Sequence, residues 1–222
     1  DSVETNRILE EKNAKTQHFF NSVAENWDNL NKKILGSYDL PKTVCEAIPD
    51  NCGLAVDLGC GTGAVLLRML SRARNVVGVD GSQAMLDICH RRFEELPEAA
   101  TRISLRIGSL EHLPLRDQEA DFASINLVLH HLEVPSEALA EARRILNSRG
   151  RLFISDFLHH NDESMRVTYG DRWLGFSLDE LSAALVKTGL TIVDYRRQPV
   201  KKDLALHLIL ARKNASKASS GL

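Results

Sequence analysis

No stretch of this sequence is apolar enough to cross a bilayer. The longest run free of Asp, Glu, Lys and Arg extends from Phe122 to Leu132 and contains two histidines, whereas a spanning helix needs about 18 or more apolar residues. The segment Asp1 to Lys15 is polar and charged, so it has no signal-peptide core. Aromatics are scarce at 5%, too few for base-stacking platforms over much of a surface. Neither charge dominates: 28 Lys and Arg stand against 30 Asp and Glu, net −2. Dedicated nucleic-acid binders carry a basic excess. The four cysteines, Cys45, Cys52, Cys60 and Cys89, show no CxxC spacing. They read as free thiols of a cytoplasmic protein, neither a disulfide framework nor a zinc site. There is no repeat and no low-complexity block. At 43% hydrophobic and 26% charged the composition is that of an ordinary globular protein. The 222 residues make one large domain, or one with a small appendage, at roughly 150 residues per domain.

The hydrophobic periods divide the chain. From Thr16, Phe19, Val23, Trp27 and Leu30 fall on one helical face, and Pro41 opens a short helix toward Ile48. Leu54 to Val56 is then a buried-type strand that stops at Asp57 and a glycine cluster, with a helix through Val65, Leu66, Met69 and Leu70 behind it. Val76 to Val79 is a second strand ending at Asp80. A helix opens after Ser82, and closes before Pro97. Ile103 to Ile107 alternates as a strand, Phe122 to Leu129 is a third buried run, Ser136 to Leu146 is helical with Asn147 and Gly150 as stops, and Leu152 to Ile154 is a strand ending near Asp156. Strand and helix in alternation imply an α/β fold with a mostly parallel, doubly wound sheet. Ligands of such sheets bind at the rim formed by the strand C-termini. Ser177 to Glu180 is a capping box whose helix ends at Gly189. Thr191 to Tyr195 and Leu204 to Ala211 follow as an antiparallel hairpin linked by the basic stretch Arg196 to Lys202, and the tail from Asn214 is small and polar. Residues 1–48 form a helical cover and 53–212 the sheet domain.

The strongest local signal is Val56-Asp57-Leu58-Gly59-Cys60-Gly61-Thr62-Gly63. Glycines let the backbone turn sharply and approach a ligand closely. The helix start behind them offers N–H groups and a positive dipole end to an anionic group. Asp80, 23 residues after Asp57, ends the next strand, where a carboxylate can accept both hydroxyls of a ribose. Gly59, Gly61 and Ala64 also satisfy the dinucleotide spacing. Asp57 separates the two readings, because a dinucleotide fold more often has an apolar residue two positions before the first glycine.

The segment Asp57 to Gly63 resembles the first motif of the class I S-adenosylmethionine-dependent methyltransferases. Gly78-Val79-Asp80-Gly81-Ser82-Gln83-Ala84-Met85-Leu86 resembles their ribose-binding motif, and Gly108-Ser109-Leu110-Glu111-His112-Leu113-Pro114 the loop beside the adenine. Asp121 to Leu132 and Leu139 to Asp156 resemble the fourth and fifth motifs. Phe19 to Asp28 is similar to the N-terminal segment of small-molecule methyltransferases, including those of ubiquinone and menaquinone biosynthesis. The resemblance implies a seven-stranded Rossmann-like sheet with an antiparallel last strand, S-adenosylmethionine as donor, S-adenosylhomocysteine as product and a small-molecule acceptor. It places Asp57 and Asn126 near the methionine end, Gly59, Gly61 and Gly63 against the cofactor, Asp80 and Gly81 at the ribose, Met85, Ser109 and Leu110 at the adenine, and Trp27 in the cover. Ser109 stands where the family commonly has an acidic residue.

Methyl transfer from an activated sulfonium to a nucleophile needs alignment and exclusion of water more than a triad. A protonated nucleophile gains from a general base. His130-His131 and His159-His160 follow the fourth and fifth strands, and His131, His160 and Glu163 are the candidates for base or acceptor contact; each histidine also suits a helix cap. Arg166, Asp171, Arg172 and Trp173 lie in the following insertion, as a substrate-pocket wall or as core. No metal site is expected. The chain is expected to act as a monomer or homodimer, without nucleic acid or membrane insertion. A reductase of similar fold is disfavoured, because its Tyr-x-x-x-Lys pattern occurs only at Tyr38 and Lys42, before the glycine loop. Asn126-Leu127-Val128-Leu129 is not the Pro-Pro-aromatic loop of nucleic-acid methyltransferases. A cofactor-binding regulator or partner subunit without turnover is the non-enzymatic alternative.

Overall fold

The computed structural model describes residues 14–96, 101–201 and 203–214. Nearly all of the expected N-terminal arm and of the polar tail lies outside them. Helix α1 covers residues 14–23, and one 3₁₀ turn leads into α2, Trp27–Leu35. Asp39 caps α3, Leu40–Ala47, by accepting from the Lys42 N–H at 3.0 Å. There follow β1 Cys52–Leu58, α4 Ala64–Met69, β2 Ala73–Asp80 and α5 Gln83–Glu94. The chain continues with β3 Ile103–Ile107, β4 Ala120–Asn126, α6 Pro135–Ile145 and β5 Leu146–Phe157. Helices α7 Ser164–Thr168 and α8 Leu178–Lys187 precede the final hairpin, β6 Leu190–Pro199 and β7 Ala205–Lys213.

The seven strands lie in the order β3-β2-β1-β4-β5-β7-β6. All pairings up to β5 are parallel. Strand β7 runs antiparallel to both of its neighbours, so the expected hairpin is present and β7 is inserted inside the sheet, with β6 at the edge. Strand β1 is buried on both faces at its C-terminal half, which is why Leu54 to Val56 and Leu58 are apolar around the one buried carboxyl, Asp57. Ala55 packs with Val44, Leu66 and Phe122 on one face, and Val56 and Leu58 pack with Leu139, Ile145 and Ile154 on the other. All four cysteines are free thiols. Among the described residues no helix is long and apolar enough to cross a membrane.

Three boundaries differ from the sequence reading. Strand β4 ends at Asn126, because Leu127 adopts a φ of 56° and the chain turns into a 3₁₀ turn over Leu129–His131. The rest of that apolar run is therefore not strand. Strand β5 begins at Leu146, directly after α6; its register against β4 slips between Ala120 and Phe122, which absorbs the residues read as stops. Arg196 to Gln198 belong to β6 and pair with β7, so the connector is shorter than expected.

The box at α8 forms as read. The Ser177 hydroxyl accepts from the Glu180 N–H at 3.2 Å and the Glu180 carboxylate accepts from the Ser177 N–H at 2.8 Å. Ser177→Ala should lower the unfolding free energy by about 1 kcal/mol in a urea titration. An unchanged midpoint and slope would mean that packing alone holds the start of α8.

Candidate active site

Chain connections leave β1 toward β2 on one side, and β4 lies on the other, so a crevice opens at the C-terminal ends of β1 and β4. The glycine loop fills its floor. The Gly59 and Cys60 N–H groups donate to the Val79 carbonyl at 2.8 and 3.0 Å, and the Gly61 N–H donates to Asp80 Oδ2 at 2.8 Å. These three amides are spent on β2, which fixes the loop against the end of that strand. Gly59 has a φ of 75°, and a Cβ there would stand 2.5 Å from Val128. Gly63 does not line the cavity; a Cβ on it would collide with the Cys89 sulfur, so its role is packing of α4 on α5.

Asp80 ends β2 with one oxygen on the Gly61 N–H and the other on the Ser82 N–H, at 2.8 Å each. A carboxylate has about four acceptor positions, so two remain for the hydroxyls of a ligand. Burial pushes its carboxyl above the ordinary range, and the amides of Ser82, Gly61 and Gly81 pull it back. Asp57 is 2% exposed. Its Oδ1 accepts from Ser124 Oγ at 2.5 Å and Asn126 Nδ2 at 3.0 Å, and Asn126 Oδ1 accepts from Ser155 Oγ at 3.0 Å. This chain of bonds spans β1, β4 and β5. Burial raises the Asp57 carboxyl to about 6, against the opposing hydrogen bonds from Ser124 and Asn126.

Above this floor lies a cavity of about 700 Å³. Of the expected cofactor residues, Trp27, Asp57, Gly59, Gly61, Asp80, Gly81, Met85, Ser109, Leu110 and Asn126 line it, and so does His131. The roof is α1 and α2. Asn21 Oδ1 accepts from Ser82 Oγ at 2.6 Å, Thr62 Oγ1 donates to Asp28 at 2.6 Å, and Gln17 donates to the Gly81 carbonyl. Arg92 ties Asp28 to the Thr62 carbonyl. Phe20 stands edge-on to both Trp27 and His131, at 5.3 and 4.8 Å between ring centres. A hollow of about 720 Å³ near the opposite ends of β2 and β3 offers less, because the Arg102 guanidinium there is committed to the carbonyls of Leu70, Ala73 and Arg74.

Two of the three candidate bases lie off the cavity. His160 packs edge-on against Phe157 at 5.7 Å, and its Nδ1 accepts from the Asp162 N–H at 3.3 Å. Glu163 is exposed and pairs with Arg166 at 2.8 Å. The histidine pair after the fifth strand and the segment that follows it placed both near the rim, but after β5 the His160 ring packs on Phe157 and Glu163 faces outward. Ser124, Ser155, Phe20 and Thr62 carry the site and were not singled out in the sequence. Serines of parallel central strands, where apolar residues are the rule, are the signal that finds the first two.

A model of the methyltransferase domain matches residues 56–154. A ubiquinone/menaquinone biosynthesis C-methyltransferase of Acidiphilium cryptum is 32% identical over 181 residues, covering 80% of this chain and 72% of that protein. The chain belongs to the class I S-adenosylmethionine-dependent methyltransferases. It also matches an uncharacterized 37.1 kDa transposon protein of Streptomyces fradiae, at 38% identity over 53% of this chain, and a demethylmenaquinone methyltransferase of Lactiplantibacillus plantarum, at 31% over 61%. It spans 33% and 60% of the length of those two relatives. The [4+2]-cyclase SpnF shares the fold, with a TM-score of 0.76 and 18% identity over 90% of this chain and 95% of that one. Fold alone therefore does not name the chemistry.

The residues fit the family's donor. Asp80 keeps acceptor positions free for a pair of hydroxyls. When ionised, the buried Asp57 carries a charge that is costly without a cationic partner. The cost can be read in stability. A folded-state carboxyl at about 6, above the ordinary 3.8, means that the native apoprotein prefers the protonated form. Stability from this group is full below pH 3.8 and is lost as pH rises toward 6. Relative to Asp57→Asn, the unaltered chain should lose about 2–3 kcal/mol of unfolding free energy between pH 3.5 and pH 7. Parallel urea-derived profiles for the two proteins would contradict this.

Proposed function

We propose that the chain transfers a methyl group from S-adenosylmethionine to a small-molecule acceptor with an apolar body. The observation that carries this is the pairing of a buried carboxylate, Asp57, with a second carboxylate, Asp80, that keeps acceptor positions free, across a glycine loop fixed to β2 by the Gly59, Cys60 and Gly61 amides. Asp80 takes the ribose hydroxyls. Asp57 and Asn126 hold the cationic amino-acid end. Met85, Leu110 and Ser109 bound the adenine, with the Ser109 hydroxyl in place of the family's usual acid. The bound donor supplies a carbon already activated by its sulfonium. What remains for the protein is to align the acceptor in line with that carbon and to keep water out. The roof helices provide the exclusion.

We place the acceptor against Leu35, Tyr38, Leu40, Leu127 and Leu132, which line the same cavity as Asn31, Lys32 and His131. Apolar walls with a few polar groups fit a compact acceptor with an apolar body. His131 is the candidate acceptor contact as a wall of the pocket, its ring held by Phe20 and by the Gly170 carbonyl.

Two variants separate the ends of the site. Asp80→Ala should weaken donor binding at least tenfold, about 1.4 kcal/mol, in calorimetry; equal affinity would remove Asp80 from the ribose. His131→Ala should leave donor affinity within about twofold and lower kcat/KM for the acceptor at least tenfold. Turnover is followed as S-adenosylhomocysteine released over a panel of small phenols, amines, thiols and enolisable carbonyl compounds. Donor binding with no product from any of them would favour a cofactor-binding subunit without turnover.

A further inference from the structure

A second cluster of ionisable side chains lies beneath the His131 wall. The 3₁₀ turn after β4 supplies His130 and His131, the segment between α7 and α8 supplies Asp171, and β5 supplies Asp156. They are 2, 4, 4 and 0% exposed. The two segments are joined by backbone: the Arg172 and Trp173 N–H groups both donate to the His130 carbonyl at 3.0 Å.

His130 Nδ1 stands 2.7 Å from Asp156 Oδ1. With its proton there, Nε2 carries a lone pair, and that atom faces Asp171 Oδ1 at 3.6 Å. Neither oxygen of Asp171 has a hydrogen-bond partner, although the side chain is fully buried. A buried, unbonded carboxylate is costly, and 3.6 Å is too long for a hydrogen bond. Two ligand atoms each about 2.1 Å from one tetrahedral ion stand roughly 3.4 Å apart.

We propose that His130, His131 and Asp171 bind one divalent transition-metal ion of the zinc type. A ring nitrogen of each histidine and a carboxylate oxygen of Asp171 lie within 4.8 Å of one another. Two imidazoles and one carboxylate suit zinc, and they disfavour magnesium and calcium, which take oxygen ligands. Metal-bound histidines usually donate their second nitrogen to an acceptor that fixes the ring. Asp156 does so for His130, and the Gly170 carbonyl, 3.2 Å from Nδ1, does so for His131. When Asp156 and Asp171 are ionised and both imidazoles neutral, a dication cancels their charge. The ion thereby fastens the segment around Asp171 to the turn that forms the acceptor wall. The sequence led to no such expectation, because the ligands come from segments about forty residues apart.

The test uses the full chain without an affinity tag, stripped by a chelator, with no donor or acceptor present, so its failure leaves the methyltransferase reading untouched. Zn²⁺ is titrated in a calorimeter and Co²⁺ in a spectrophotometer, alongside Asp171→Asn. The site predicts one equivalent per chain and visible Co²⁺ bands of four- or five-fold coordination. It also predicts at least 100-fold weaker binding in Asp171→Asn, and a Zn²⁺-dependent rise in Tm confined to the unaltered chain. The absence of a one-equivalent step, or equal affinity in Asp171→Asn, overturns it. Should Asp171→Asn fail to fold, the Co²⁺ spectrum of the unaltered chain decides: the weak bands of the hexa-aquo ion overturn the site, and intense low-coordinate bands support it.

Discussion

The buried Asp57 carboxylate is the constraint around which the site is organised. It sits at the C-terminal end of the central strand, and its one oxygen takes hydrogen bonds from Ser124 and Asn126 on the neighbouring strand. Asn126 in turn is held by Ser155 on the next strand. A charge in this position destabilises the empty fold, and the hydrogen bonds offset only part of that. On the proposed reading a cationic ligand group supplies the rest, so that electrostatic strain in the apoprotein and selectivity for a positively charged amino-acid end have one cause.

The glycine loop completes the selection. Its amides close onto Val79 and Asp80, which fixes the loop and orients the Asp80 carboxylate in the same stroke. The loop therefore presents a fixed backbone surface to the cavity. Above it, the roof is attached through Asn21, Asp28 and Gln17 to the starts of α4 and α5, so cover and floor share one set of hydrogen bonds. Phe20 carries that order to His131 at the acceptor end.

Much of this was legible in the residues. Asp57, the glycines and Asp80 stand at the strand ends where the alternating pattern placed them, and Ser82 and Ser177 cap their helices as read. The hairpin was readable as antiparallel, but the placement of β7 between β5 and β6 was not, because strand order depends on long-range packing that local periods do not encode. Leu127 ended β4 early for a similar reason: a leucine carries no sign that its backbone will turn left-handed. Gly63 illustrates the opposite error, since spacing alone cannot separate a glycine that faces a ligand from one that admits a neighbouring helix. His160 and Glu163 were grouped with His131 by proximity to strand ends, and one bend of the chain sent them elsewhere.

The central claim is that this cleft selects an amino-acid nucleoside over a dinucleotide. Isothermal titration calorimetry of the unaltered chain with S-adenosylhomocysteine and with NADH measures it directly. The account predicts one site for S-adenosylhomocysteine with a Kd on the order of micromolar, about −8 kcal/mol, and no detectable heat with NADH. Tighter binding of NADH, with none of S-adenosylhomocysteine, would contradict it.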